Sequence, residues 1–491
     1  MSQSLNTKVK NATKWSAITE ILAKLVAPLT TILLARLLTP EAFGIVATIT
    51  MVISFADIFA DAGFNKYIIQ HEFINDEERE QCTNVAFWSN LCVSLLLWII
   101  IAAFSKPLAR LVGCPGYELG LIVACASIPI AAFSSIQTSL YKRHFDFKTL
   151  FGARIIGVLI PLLVTTPLAF FMRNYWALVI GTIIRNLINA IYLTAKSPWR
   201  PKFYYNWSQL KQMLSFSIWT IFEAISIWLT GYADIFIVGT LLNQYYLGIY
   251  RTSMATVGGI TSIITSATTP VLFSSLSRLQ NDKKQFDQMF FMFQKIVSIL
   301  VVPLGVGTFL FSDVITKIML GDQWGDAIGF IGLWGLMSTI TILFSHYASE
   351  VYRSKGRPKL SFLAQWLHIV VLIPVVYIFA LKGFEHLYVA RSLVRLQSVM
   401  VDCLLLYFCF GISTWKMTKN VFPSFFASVV MAVVGVALRE ITINFWWNLL
   451  FIAVCACVYF VVLSRFKIEQ SYLVRIKNYL LNSFVYKFTK K

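Results

Sequence analysis

Fourteen apolar runs, each long enough to carry a helix across a bilayer, follow one another through this chain with little sequence between them. They lie near residues 15–38, 42–62, 84–105, 117–140, 149–172, 174–195, 215–240, 250–276, 293–313, 327–350, 360–381, 384–410, 419–438 and 443–464. A crossing helix needs about 20 mostly apolar residues. Composition agrees: 57% of the residues are hydrophobic, 13% are charged, and the mean hydropathy is +0.70. Soluble domains carry about 25% charged residues. A soluble enzyme, a disordered protein and a secreted disulfide scaffold are therefore excluded. The pattern predicts an all-α, multi-pass integral membrane protein of about 14 transmembrane helices.

The net charge of +19 would suggest nucleic acid in a soluble chain. Here its distribution points to the membrane instead, and no nucleic acid is expected. With the N-terminus inside, the inner segments hold 28 basic residues and the outer loops 8. That bias predicts cytoplasmic termini, hence an even number of spans, in a cytoplasmic (inner) membrane. Residues 1–14 are polar and basic, without an apolar h-region or a small-residue cleavage site, so no cleaved signal peptide is expected. The eight cysteines form no CxxC pair and no Cys/His metal spacing, which predicts neither disulfides, metal nor another cofactor. The tail, 465–491, alternates basic and apolar residues at helical spacing and reads as an amphipathic helix on the inner leaflet.

The chain repeats itself. Residues 32–45 and 236–249 align at an offset of 204, each an apolar helix end, Leu-Leu, a polar turn, then Gly-Ile opening the next helix. Tyr141-Lys142 with Lys148 is echoed by Tyr352-Arg353 with Lys359, at offset 211. The unit is six spans. Six is even, so both copies enter the membrane from the same side, as parallel repeats about a pseudo-two-fold axis along the membrane normal. The expected organisation is a six-helix lobe over 1–200, a second over 201–411 and a central cavity between them. Two additional spans over 412–464 and the basic tail follow.

The segments Ala12-Thr13-Lys14-Trp15-Ser16, Leu34-Ala35-Arg36-Leu37-Leu38-Thr39-Pro40-Glu41-Ala42-Phe43-Gly44, Asp61-Ala62-Gly63 and Ile68-Ile69-Gln70 resemble the N-terminal half of polysaccharide exporters. These are Wzx-type flippases of the multidrug/oligosaccharidyl-lipid/polysaccharide superfamily, in particular the colanic acid and teichuronic acid exporter branch. Leu320-Gly321-Asp322-Gln323-Trp324 and the loop Arg353–Lys359 fit the same branch. The resemblance covers residues 12 to about 410. It implies that an undecaprenyl-pyrophosphate-linked oligosaccharide repeat unit is moved from the cytoplasmic to the outer leaflet, with the glycan polymerase and glycosyltransferases of the pathway as partners. It implies no catalytic residue.

Ionisable residues at membrane depth are costly and face a cavity or a partner. Arg391, Arg395 and Asp402 share one face of the twelfth span, with Arg154 on the fifth and Arg185, Asn189 and Tyr192 on the sixth. Guanidinium forks bind phosphate, which makes Arg391, Arg395, Arg154 and Arg185 candidates for the pyrophosphate headgroup. Snorkelling, or pairing with Asp402 or Glu223, is the structural alternative. Lys24 joins the substrate-binding candidates, or pairs with Glu20 one turn earlier. Asp57 and Asp61, four apart on the second span, suit a proton or sodium site, unless Asp61 caps the turn at Gly63. Glu223 and Asp234, eleven apart on the seventh, are further candidates for cation coupling.

Two other classes remain open at this stage. A cation-coupled multidrug exporter of the same superfamily would favour acids over arginines in its cavity. An integral-membrane glycan polymerase or glycosyltransferase needs acid/base groups in a large extramembrane loop. Here the five histidines are scattered and the longest outer loop, around Ser312–Ala327, has about sixteen residues.

Overall fold

The computed structural model describes residues 26–442 and 444–466. Lys24, Glu20 and nearly all of the basic tail lie outside the described residues. The described residues are helices joined by short turns, with no strand among them. In chain order these are α1 (Val26–Leu37), α2 (Pro40–Asp61), α3 (Asp76–Ala103), α4 (Glu118–Arg143) and α5 (Phe147–Met172). Next come α6 (Trp176–Lys196), α7 (Trp207–Leu241), α8 (Gln244–Arg278) and α9 (Lys283–Leu310). The last are α10 (Ala327–Ser354), α11 (Pro358–Ala380), α12 (Phe384–Phe410), α13 (Thr414–Ile441) and α14 (Phe445–Leu463). Thirteen, α2 to α14, are long and apolar enough to span a membrane. The first expected span is described only in its second half, as α1.

Several helices begin well before their apolar run. Each such extension starts at a side chain that accepts an orphan backbone N–H. Asn75 Oδ1 accepts from Glu78 N at 2.7 Å, and Glu78 returns the favour to Ile74 N at 2.6 Å. Asn206, Asp282 and Ser413 cap α7, α9 and α13 in the same way. The backbone bond from Gln285 holds the exposed Asp282 carboxyl below its ordinary range. Hydropathy thus locates the membrane-crossing part of a helix, and capping decides where the helix starts. The Ser/Thr-rich run expected at 250–276 is one 35-residue helix, Gln244–Arg278, because the Asn243 carboxamide oxygen caps it through Tyr246 N at 3.0 Å.

The helices form two compact units. One holds the residues up to Thr252 with Ala380–Phe384, the other Ser253–Phe379 and the residues from Glu385 onward. In the first, Phe64, Tyr67 and Ile68 of the short helix Phe64–Gln70 pack on Val85 and Phe87 of α3 and Ile136 of α4. In the second, Phe286 and Phe290 of α9 pack with Leu343 and Tyr352 of α10, Leu406 of α12 and Met417 of α13.

Within the first unit the starts of α2 and α8 touch backbone to backbone. A Cβ on Gly44 would stand 1.8 Å from the Gln244 carbonyl oxygen, and one on Gly248 1.8 Å from the Pro40 carbonyl oxygen. No side chain fits at either position. Gly44 and Gly248 are 204 apart, as are Pro40 and Gln244, so the contact reads the same from either side. This is what a local two-fold axis between the repeated segments requires.

Candidate functional site

The first unit contains a polar cavity of about 400 Å³. Its wall includes Asp57 and Asp61 of α2, Lys66 of Phe64–Gln70, Asn90 and Ser94 of α3, and Ser135 of α4. α2 ends in a left-handed turn, Ala62 at φ 43° and Gly63 at φ 76°, and this turn folds Lys66 back beside the two acids. Asp61 Oδ1 accepts from Asn65 N at 3.3 Å, a capping bond, while its residue still lines the cavity. Asn90 donates to Ser135 Oγ at 2.8 Å and accepts from Ser94 Oγ at 3.1 Å. Lys66 Nζ lies 2.7 Å from Glu223 Oε2 of α7, and both side chains are about half exposed.

This arrangement brings Asp57, Asp61 and Glu223 together and leaves Asp234 apart. Three turns along α7 from Glu223, Asp234 is buried and accepts a hydrogen bond from Tyr250 at 2.7 Å. Lys66 escaped the sequence reading. It sits outside the apolar runs, in a short helix after a Gly turn, and nothing local ties it to the second span.

In the second unit Arg391 and Arg395 of α12 both lie against one aromatic ring. Their Cζ atoms stand 4.8 and 4.1 Å from the centre of the Trp334 ring on α10. Trp334 is 6% exposed and Arg391 8%. Arg395 Nη1 donates to Ser338 Oγ at 2.6 Å, one turn beyond Trp334 on the same helix. Cation–π contacts are worth about 2 kcal/mol or more where water is excluded. Asp402 does not pair with Arg395. Its carboxylate accepts from Ser345 Oγ at 2.5 Å and Tyr352 OH at 2.8 Å, both on α10. Trp334 and Ser338 were missed because an apolar span hides an i, i+4 Trp/Ser pair until the arginine helix packs on it.

Arg154 and Arg185 belong to the first unit, Arg391 and Arg395 to the second. Arg154 is exposed on α5 and Arg185 half-buried on α6. These two helices meet closely, with the Tyr192 hydroxyl 2.1 Å from where a Cβ on Gly152 would be. Asn189 Oδ1, one turn from Arg185, is buried without a hydrogen bond. The second unit also holds an apolar cavity of about 570 Å³, walled by Ile264 of α8, Leu304 of α9, Phe311, Met431 of α13, and Ile452 and Phe460 of α14.

These helices define a multi-pass membrane protein with the fold of the solved "Lipid II flippase MurJ, inward closed conformation". The likeness has a TM-score of 0.72 at 17% identity and covers 92% of this chain and 99% of that one. Residues 33–329 match the family model described as "Polysaccharide biosynthesis protein", and the chain belongs to that family. It is similar to the succinoglycan biosynthesis transport protein ExoT of Rhizobium meliloti, with 23% identity over 63% of this chain. The match spans 62% of that relative, less than two thirds of its length. Similarity to the teichuronic acid biosynthesis protein TuaB of Bacillus subtilis is 21%, over 73% of this chain and 74% of the relative. The resemblance to polysaccharide exporters stands on these matches.

Proposed function

We propose that the chain flips an undecaprenyl-pyrophosphate-linked oligosaccharide unit from the inner to the outer leaflet of the bacterial cytoplasmic membrane, for polysaccharide export. The observation that carries this reading is the family match over 33–329 on a chain with a lipid flippase's fold. No covalent bond changes; the work is desolvation and re-solvation of a charged, sugar-bearing headgroup. Lobes over 1–200 and 201–411 open alternately to the two faces, and 412–464 adds two spans. Reciprocal glycine contacts between α2 and α8 support a mouth that closes at this point.

Two features support the substrate class. A pyrophosphate leaving water must have its charge matched, and Arg391 and Arg395 offer two guanidinium groups at membrane depth. The apolar cavity between α8, α9, α13 and α14 suits a polyprenyl chain. Asp57 and Asp61 supply carboxylates for a proton or sodium ion that drives the cycle. The same cavity is what favours the second reading, a cation-coupled multidrug exporter.

Purified protein in vesicles with a fluorescent polyprenyl-pyrophosphate oligosaccharide separates these readings. Flipping, read as loss of label accessibility to an impermeant quencher, is expected to exceed that of protein-free vesicles. Drug efflux without lipid flipping would overturn the proposal. Orientation is checked by alkaline phosphatase fusions: active after Gly321, inactive after Lys284. The reverse pattern would move both termini outside.

A further inference from the structure

Twelve of the 26 residues from Thr252 to Ser277 of α8 are Ser or Thr. In the part of α8 that belongs to the second unit, Thr261, Thr265, Thr269 and Phe273 recur every fourth residue and form one column along the helix. Ser262, Ser266 and Thr268 flank it. Thr261, Thr265, Ser266 and Thr268 each donate to the carbonyl four residues back, and Ser262 to the one three back. The hydroxyl protons are thus spent on the helix itself, while the oxygens keep lone pairs that can accept. Such a face leaves no donor unsatisfied when it is empty, and it accepts from any hydroxyl that arrives. Among the described residues only Thr268 and Thr269 of these six bond to another helix.

This flank of α8 is open. Thr261, Thr265 and Thr269 are half-buried, Phe273 is exposed, and a Cβ on Gly258, one turn before Ser262, would meet no atom within 4 Å. The other exposed flank carries Ile263 and Val271, the side chains of a lipid-facing surface. A membrane helix open on two flanks, one apolar and one hydroxylated, has lipid on the first and a polar path on the second. α10 completes the column. Over Ile342–His346 it widens into one π-helical turn, a feature common at functional sites. The exposed His346 then stands with Nε2 3.2 Å from Thr269 Oγ1, and Tyr347 OH lies 2.6 Å from Thr268 Oγ1. Two turns beyond His346, the Arg353 guanidinium stands 5.6 Å from the centre of the Phe273 ring and pairs with the buried Glu350. Ionisable side chains at membrane depth face a cavity or a partner, and the partner of His346 is a neutral hydroxyl.

We propose that Thr265, Thr269 and Phe273 of α8, with His346 and Arg353 of α10, form a subsite for a sugar ring of the transported glycan. The threonine oxygens accept from sugar hydroxyls. The imidazole, bonded to Thr269 through Nε2, offers Nδ1 to a further hydroxyl, and Arg353 donates to sugar oxygens. The apolar C–H face of the ring lies on Phe273. Because Glu350 neutralises Arg353, the lining suits an uncharged, hydroxyl-rich sugar rather than a phosphate. The inference rests on the flipping reading and deepens it by assigning the glycan, not the pyrophosphate, to this face.

Binding to detergent-purified protein is measured by fluorescence anisotropy with two probes, a fluorescent polyprenyl-pyrophosphate oligosaccharide and the same labelled polyprenyl pyrophosphate without sugars. Phe273→Ala and His346→Ala are each expected to weaken the sugar-bearing probe about three- to tenfold, the loss of one hydrogen bond or ring contact, and to leave the sugar-free probe unchanged. His346→Gln still offers an amide to Thr269 and to a sugar hydroxyl, so it should restore most of the affinity. Thr265→Val removes an acceptor whose proton serves only its own helix, so the fold should hold while sugar-dependent affinity falls. Ser274→Ala, on the other side of α8, should change neither probe. Equal loss of both probes in the Phe273, His346 and Thr265 variants would overturn the glycan assignment, and so would unchanged binding of both. If the unaltered protein bound neither probe, the flippase reading would fall and this inference with it. If it bound both alike and the variants changed nothing, the reading would stand and the subsite alone would fall.

Discussion

In the first unit Asp57 and Asp61 face a cavity walled in part by amides, hydroxyls and an ammonium group, and that ammonium, Lys66, is held by an exposed carboxylate. In the second unit Arg391 and Arg395 lie against an indole that is almost fully covered, with a hydroxyl rather than a carboxylate on Arg395. The first arrangement sets two acids among polar groups. The second packs two guanidinium groups against one aromatic ring. A polar lining is what a small-ion site would need. If the pair binds the headgroup as proposed, the repulsion between two like charges one turn apart is relieved when the anion arrives.

The largest effect is expected where that relief is lost. An Arg391→Ala/Arg395→Ala variant should lower lipid flipping about ten- to a hundredfold at unchanged protein level, the loss of a charge-assisted contact of about 1.5–3 kcal/mol. Arg→Lys at either position should restore only part, since the fork and the planar stacking go with the guanidinium. Trp334→Leu keeps both charges and removes their platform; flipping should fall several-fold, less than in the double variant. Normal flipping by the double variant would break the comparison and leave Arg154 and Arg185 as the headgroup candidates. Asp402→Asn should behave differently from the arginine variants, because Asp402 ties α12 to Tyr352 and Ser345 and makes no ion pair with Arg395. Its readout is protein stability, with flipping per folded molecule retained.

The sequence made the helices legible and left their partnerships hidden. Apolar runs of about 20 residues can do little else in lipid, so α2 to α14 follow from length and hydropathy. The offset of 204 aligned Gly44 with Gly248, but that the two segments touch at these glycines came only from the structure. Helical spacing also put Arg391 and Arg395 on one face. It says nothing of what the face meets, which is why Trp334 and Ser338 were not foreseen. Glu223 and Asp234 share a face too, yet three turns separate their surroundings. One meets Lys66 in the open and the other Tyr250 in the interior. Periodicity reports direction around a helix axis, and function also depends on depth along it.

A middle-sized effect is expected from Asp57→Asn/Asp61→Asn. Asparagine keeps an Oδ1 to accept from Asn65 N, so the turn at Gly63 should survive while both charges go. If a proton or sodium ion is coupled there, transport in the double variant should lose its dependence on the imposed gradient. The lipid should still bind, read as unchanged protection by a fluorescent polyprenyl-pyrophosphate. Unchanged gradient dependence would leave Asp61 as a capping residue and remove the functional contrast between the units. Loss of lipid binding would place the acids in the headgroup site and break it from the other side.

The smallest effect concerns Lys66 and Glu223, and it tests whether the first cavity is wet. The two side chains meet at 2.7 Å, yet each is about half exposed. An ion pair in high dielectric is worth about 0–1 kcal/mol, since water screens the attraction and two long side chains lose freedom. In a dry interior, removing one partner costs about 3–5 kcal/mol because the other is left charged and unsolvated. A double-mutant cycle with Lys66→Met and Glu223→Gln measures which regime applies. A coupling below about 1 kcal/mol is expected from unfolding in mild detergent, with each single variant near wild-type stability. The charge-swapped pair, Lys66→Glu with Glu223→Lys, should then be tolerated, as the surroundings have no preferred sign. A coupling of several kcal/mol would mean that water does not reach the rim. The acids behind it would then sit in surroundings as dry as those of Arg391, and the two units would differ only in the sign of the charge they hold.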